Sequence, residues 1–410
     1  MTSRPVEETR FHSLDAVRAG ALLAGIVLHA TMSWLPGFGQ LGWPIADGST
    51  SETLGYTFFV IHIFRMSLFF IIAGFFARLL HQRLGTSGLI RNRLRRIALP
   101  LVTAMVLILP LTIVAVIWAA RQVGAQGGPP PMAAPPTLGP PIPWGHLWFL
   151  YLLLVLYALL LPARALVAAC DRSGKVRAWL GRALAKIFRS RLAPLLLAVP
   201  VALALLSASW WLAWQGIPAP IAGLVPNYPA LVAFGGAFLL GWLMHREQVV
   251  LMALARDWYL NLVLALLATA AAIVAAGDTL HFSLRPLAEG ARMAFVASYS
   301  LAMWCWCFAA IGAAVRFLDQ PSWRWRYLAD ASYWMYLVHL PIVWLLQAWM
   351  LRWPLHWAAK FFLTLVLTAV LLLASYRWLV RGTFIGVFLN GRRMPRQAGH
   401  ATSVPSISPG

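Results

Sequence analysis

The chain has 410 residues, 61% hydrophobic and only 11% charged, with a mean hydropathy of +0.74. Soluble domains do not have that composition, so a length that would otherwise mean two or three globular domains describes a protein built for a membrane. The 33 Lys and Arg against 12 Asp and Glu leave a net charge of +21. The positives stand between apolar runs rather than in one basic domain. That argues against nucleic acid as a partner and fits loops that set topology, meet anionic lipid headgroups or bind an anionic cytosolic ligand.

Crossing ~30 Å of hydrocarbon takes ~20 helical residues. Apolar stretches of about that length occur at 14–35, 54–80, 97–119, 146–168, 193–212, 229–245, 258–276, 289–315, 330–350 and 357–380. They predict an all-α, polytopic transmembrane helix bundle of about ten spans. With the amino terminus in the cytoplasm, the clusters Arg83, Arg91, Arg93, Arg95, Arg96 and Arg172, Lys175, Arg177, Arg182, Lys186, Arg189, Arg191 fall on one side, with Arg392, Arg393 and Arg396. The other side keeps little more than Arg121, Arg285 and Arg352. An even number of spans with both termini cytoplasmic follows. The Pro- and Gly-rich segment 121–145 is expected to be an irregular outer loop, and Trp210, Trp211 and Trp214 to end a span as interfacial aromatics. The first apolar run is long enough to remain as a helix, so no cleavable leader is expected. Residues 1–390 form the transmembrane domain, and the polar, Pro- and Ser-containing segment 391–410 reads as a disordered cytoplasmic tail.

P-loop, G-x-S-x-G and H-E-x-x-H patterns are absent, which removes the best support for ATP-driven transport and the common hydrolases. Cys170, Cys305 and Cys307 are too few for a disulfide framework and lack zinc-ligand spacing; they read as packing residues.

An ionisable side chain at membrane depth costs ~2.5 to 3.5 kcal/mol, so each one facing the bundle interior is a functional candidate. Arg18 and His29, eleven residues apart, share a helix face with ~16 Å of rise between them, and Asp15 pairs with Arg18 one turn earlier. On the antiparallel neighbour, His62 and Arg65 reach a depth comparable to His29. An imidazole beside a permanent cation suits general-base activation of a hydroxyl next to a group that stabilises developing negative charge. The alternative is that Arg65 only hydrogen-bonds backbone carbonyls to hold a helix pair. Arg91, Arg93, Arg95 and Arg96 fit topogenesis, and equally a phosphate-rich cytosolic donor. Glu289 is placed to bind an acceptor hydroxyl or to pair locally with Arg292, and His339 lies in the ninth span.

Five segments in order carry a resemblance: Phe11-His12-Ser13-Leu14-Asp15-Ala16-Val17-Arg18 with His29, the run His62 to Phe76, Arg93 to Pro100, His146 to Leu150, and Ala331 to Pro341. Together they resemble the acyltransferase-3 family of integral membrane acyltransferases, in the branch containing glucan biosynthesis protein C, which is associated with succinylation of periplasmic glucans. Ala73 stands where the family often has Ser, and Leu340 where that branch often has a second His, so the acyl group stays open between succinyl and acetyl. The resemblance implies a cavity open to both sides, cytosolic acyl-CoA as donor with no permanently bound cofactor or metal, and a periplasmic or cell-envelope carbohydrate hydroxyl as acceptor. It implies a bacterial inner-membrane location, with glucan-synthesis proteins as partners. On the resemblance His29 would be the catalytic base and Arg18 would belong to the same essential pair; the residues themselves suggest Arg65 as the oxyanion stabiliser. The resemblance gives donor binding to Arg93 and Arg96; from the residues alone, Arg91 is expected to join them and His62, Glu289 and His339 to bind the acceptor. A proton-coupled secondary transporter or flippase for a sugar or lipid-linked substrate is the rival reading of the same buried residues.

Overall fold

The computed structural model describes residues 11–391 apart from 42, 44, 123–139 and 141. Each of the ten apolar stretches is helical over most of its length, the one at 193–212 only as far as Ser207. In chain order the helices are α1 (His12–Thr31), α2 (Glu52–Arg93), α3 (Leu99–Leu107), α4 (Leu109–Gln122), α5 (Trp148–Cys170), α6 (Lys175–Arg189) and α7 (Ala193–Ser207). They continue with α8 (Tyr228–Arg246), α9 (Val249–Arg256), α10 (Trp258–Ala276), α11 (Glu289–Phe317), α12 (Trp323–Met350), α13 (Trp357–Ser375) and α14 (Phe384–Asn390). Among the described residues the extended pairing is a single antiparallel bridge, Pro143 with Ala222. By length and apolarity seven helical stretches are able to cross a membrane, or eight if the bent pair α6–α7 is counted as one span. Two of the ten expected stretches fall short for different reasons. α7 has only 15 residues, and α12, although 28 residues long, interrupts its apolar part with Tyr333, Tyr336, His339 and Gln347.

Local sequence explains where the helices start, bend and touch. Ser51 caps α2 by accepting from the Leu54 amide, and Asn227 caps α8 by accepting from the Ala230 amide. α2 runs on beyond its apolar part, bending at Gly85 (φ 66°) so that its last turns carry Arg91 and Arg93. Pro100 has no amide hydrogen to offer Arg96 O, and its ring crowds that carbonyl. The chain responds with a π-helical turn at Leu94–Ala98, and the released carbonyl accepts the Tyr333 hydroxyl at 2.7 Å. α2 and α8 approach closely because a Cβ on Gly74 would fall on the Phe238 carbonyl and one on Gly241 on that of Ile71. α11 is the most enclosed of the seven stretches, with Phe295, Met303, Trp304 and Ile311 buried in the core. Leu203, Val274 and Phe362 are more than half exposed on outer faces, as lipid-facing side chains are.

Hydrogen bonds gather the ends of the helices into two opposite faces. Arg18 to Ala329 O, Tyr333 to Arg96 O and Asn390 to Asp330 O tie together the start of α1, the end of α2, the start of α12 and α14; we call this the arginine face. The opposite, loop face is tied by Gln347 to Ala30 O, Gln122 to Ala348 O and a buried Lys360–Asp47 pair at 2.6 Å.

Trp211 is not an interfacial belt residue. It folds inward to 3% exposure because its indole N–H finds Gly216 O at 2.6 Å, while Trp214 stacks near Phe282. Residues 121 and 122 continue α4, and most of the Pro- and Gly-rich loop lies outside the described residues. Of the expected tail, Gly391 ends α14 with φ 74°, and residues 392–410 lie outside the described residues.

Candidate active site

A cavity of about 670 Å³ opens within the arginine face. Five arginines line it, Arg18, Arg65, Arg83, Arg93 and Arg96, against two aspartates, Asp15 and Asp330. That excess selects an anionic ligand. Arg93 and Arg96 are three apart, and the π-helical turn forced by Pro100 sets the direction in which Arg96 points. The Arg93 guanidinium rests 5.1 Å over the Tyr157 ring, leaving its N–H groups for a ligand, and Arg96 reaches Leu389 O at 3.5 Å. Arg91 is exposed and outside the lining. Ala73 faces this cavity.

Arg18 sits on the cavity wall, bonding Ala329 O at 2.8 Å and pairing with Asp15 at 3.4 Å. The expected ion pair is therefore present, but Arg18 stands about 16 Å along α1 from His29, too far to touch it. Arg65 is different. Among the described residues it has no ion pair and no hydrogen bond, and its Nε is buried without a partner. Holding a helix pair through carbonyls is the work of another arginine: Arg292 Nη2 meets Leu205 O, Leu206 O and Ala208 O at 3.2, 2.9 and 2.8 Å. Arg292 therefore does not rely on Glu289, which is exposed at the start of α11 and lies outside the cavity.

The Arg65 guanidinium occupies the space over Gly25, where a Cβ would lie 2.6 Å from Nη1. His29 is one helical turn further along the same face of α1. The cavity lining reaches Arg65 and Tyr336, and His29 is not part of it; it lies just past Arg65 and is partly exposed. Its Nδ1 is 3.3 Å from Met32 Sδ. Two further imidazoles complete a cluster, with ring centres 5.2 Å apart for His29 and His339 and 5.9 Å for His146 and His339.

The backbone fixes the tautomers of the last two rings. His339 Nδ1 faces only carbonyls, Tyr336 O at 2.8 Å and Met335 O at 3.1 Å, so it carries the hydrogen and Nε2 presents a lone pair. His146 Nε2 donates to Leu337 O at 3.1 Å. Pro341, four residues on, cannot bond that carbonyl, which is why it is free to receive an imidazole. His339 Nε2 and His146 Nδ1 are both buried without partners. His62 lies on the loop-face side of Arg65, stacked on Phe58 and donating to Gln215 O at 3.0 Å. Among the described residues no group of three or more His, Cys, Asp or Glu has the geometry of a metal site.

The structure thus brings His29, Arg65 and His339 together, with His62 nearby. Arg18, Arg93 and Arg96 fall in the cavity below, and Arg91 and Glu289 belong to neither group. From the sequence His146 stands out only as part of a motif, with no task of its own. The signal lay in Pro341, whose position marks Leu337 as a carbonyl in need of a donor.

Fold and site define a polytopic helix bundle whose cationic cavity opens on one face and stops at Arg65, just short of an imidazole cluster. The profile described as an acyltransferase domain matches residues 11–374, and the chain belongs to the acyltransferase-3 family. It is similar to glucans biosynthesis protein C of Shigella dysenteriae serotype 1 (strain Sd197), 33% identical over 106 residues, which is 25% of this chain and 26% of that one. The same protein of Escherichia coli (strain K12) is 31% identical over 104 residues, again 25% and 26% of the two chains. The aligned stretch spans about a quarter of the length of these relatives. No solved structure matches. The transporter reading gains nothing from these likenesses.

Proposed function

We propose that the protein moves an acyl group, succinyl or acetyl, from acyl-CoA to a hydroxyl of an envelope carbohydrate such as an osmoregulated glucan. The observation that carries this reading is the arginine-lined cavity ending at Arg65, one helical turn short of His29. In this reading the chain crosses a bacterial inner membrane ten times with both termini in the cytoplasm. The arginine face then meets cytosolic donor, the loop face meets the acceptor, and glucan-synthesis proteins supply it.

The donor's phosphates lie against Arg93 and Arg96, with Arg18 shaping the wall. Its thioester arm rises to Arg65. His29 takes the proton of the sugar hydroxyl as the oxygen attacks the thioester carbonyl, and Arg65, free of other partners, stabilises the oxyanion. The carbon–sulfur bond then breaks, the thiolate recovers the proton from His29, and an ester and free CoA are the products. His62 and His339 flank the position the hydroxyl must take.

The test uses purified protein in detergent with succinyl-CoA or acetyl-CoA and an isolated glucan, following free thiol and glucan mass. A folded His29→Ala variant is expected to retain donor binding and lose transfer by on the order of 10²- to 10⁴-fold. Undiminished turnover removes His29 from the chemistry. Absence of thiol release from the unmodified protein with both donors overturns the reading itself.

A further inference from the structure

α6 presents three different surroundings at three bearings around its axis. At about 100° per residue, Lys175, Arg182, Lys186 and Arg189 fall within an arc of about 60°, and all four are exposed. About 120° away around the helix, Val176 and Leu180 are 54% and 45% exposed, and Trp179, 60% exposed, stands between the two stripes. A third bearing faces the protein, where Gly181 and Phe188 are buried. A Cβ on Gly181 would collide with the Glu247 carboxylate, so the helix is pressed against the turn before α9. The helix contains no acidic residue.

Both ends of α6 are fastened. At its start Asp171 accepts from the Val176 and Arg177 amides at 3.3 and 2.9 Å and from Arg177 Nε at 3.1 Å. At its end the chain turns by 106° into α7. Arg191 makes that corner in the left-handed region (φ 64°), held by Asp257 through contacts of 3.1 Å from Nε and 3.0 Å from Nη2. Arg256 grips the same carboxylate at 2.5 Å. With α7 running through the bundle, a right-angled and doubly pinned α6 lies across its end.

We propose that α6 lies in the plane of the bilayer surface and binds the headgroups of anionic phospholipids through Lys175, Arg182, Lys186 and Arg189, with Val176 and Leu180 seated among the acyl chains. A loop that needed only to set topology would require positive residues, but not their confinement to one stripe at right angles or more to an exposed apolar one. Trp179 occupies the boundary bearing, where an indole meets headgroup and hydrocarbon together.

The full-length protein, purified in a mild zwitterionic detergent, is titrated with phosphatidylglycerol or phosphatidylcholine, and retained lipid is counted by native mass spectrometry. Each cation near an anionic surface contributes about fivefold in affinity. The unmodified chain is expected to favour phosphatidylglycerol, and R182Q/K186Q/R189Q to lose that preference by on the order of 10²-fold at low salt. The charge-matched R316Q/R324Q/R326Q, altered elsewhere on the arginine face, is expected to keep it, and both variants to melt as the parent does in phosphatidylcholine. Equal retention of the two lipids by the parent, or equal loss in both triple variants, overturns the proposal. So does protection by soluble glycerol 3-phosphate that matches phosphatidylglycerol, since the bilayer would then have no part in binding.

Discussion

Gly25→Ala separates the placement of Arg65 from the integrity of the fold. The added methyl would lie 2.6 Å from Arg65 Nη1, whereas ordinary contact begins near 3.4 Å, so the guanidinium must retreat by about 0.8 Å. Nothing else blocks the methyl, because the other close atoms at that site also belong to Arg65. A misplacement of about 1 Å in a group that stabilises a transition state costs on the order of 10²-fold in rate, equivalent to ~2.7 kcal/mol of barrier. The helix itself favours alanine over glycine by ~0.5–1 kcal/mol, which offsets the cost of moving a side chain end that has space in the cavity. The variant is therefore expected to melt within a few degrees of the parent while kcat falls about 100-fold, with little change in KM for the acyl donor, which Arg93 and Arg96 hold. Gly20→Ala is the matched control on the same helix, with open space around the new methyl, and is expected to leave turnover intact. Thiol release under saturating donor measures kcat, and a thermal melt in the same detergent measures the fold. If Gly25→Ala turns over at the parental rate, the oxyanion role of Arg65 is wrong.

His339 offers a test of tautomer. Asparagine can place an N–H near the position of Nδ1 but removes the Nε2 lone pair, and glutamine does the reverse; if that lone pair serves the reaction, His339→Gln is expected to retain at least tenfold more activity than His339→Asn. Equal rates in the two would assign His339 to packing. Acid stability gives a second check. The hydrogen bond from Arg256 and the pairing with Arg191 hold the Asp257 carboxyl below the usual aspartate range. Its contribution is therefore complete above the unfolded value of ~3.9 and is lost as pH falls through the lower folded one. The parent is expected to lose melting temperature below about pH 4 more steeply than Asp257→Asn, which should already be weakened at pH 7; parallel curves would show that Asp257 does not anchor the α6–α7 corner.

Much of this architecture was legible from apolar length alone, because in hydrocarbon every backbone group must bond within its own helix and the runs that do so are easily seen. The depth of His29 relative to Arg65 followed from counting residues along two antiparallel helices. What the count missed lay off the helical repeat. The 106° corner between α6 and α7 depends on one arginine in a left-handed conformation, and nothing in the local sequence marks Arg191 as that residue. Trp211 departs from the expected belt because an indole's preference for interfaces yields where a carbonyl is at hand inside, as Gly216 O is. Arg18 was correctly placed on the face of His29, yet sharing a face says nothing of contact across three turns. Glu289 and Arg292 were a plausible pair by spacing, but the end of α7 offered Arg292 three carbonyls that no one-dimensional reading brings near.

Pro100 and Pro341 give the site an unusual dependence on missing atoms. Each deprives one peptide oxygen of its customary donor within the helix, and each orphan is taken up by a residue of the reaction region, Tyr333 at one and His146 at the other. Replacing either proline by alanine would supply the absent amide and let the helix heal, and the tyrosine hydroxyl or imidazole would then have to compete with the backbone for its anchor. Perfecting the helix would in this way loosen the apparatus it carries, so variants that raise thermal stability at these two positions are the ones in which activity should be watched most closely.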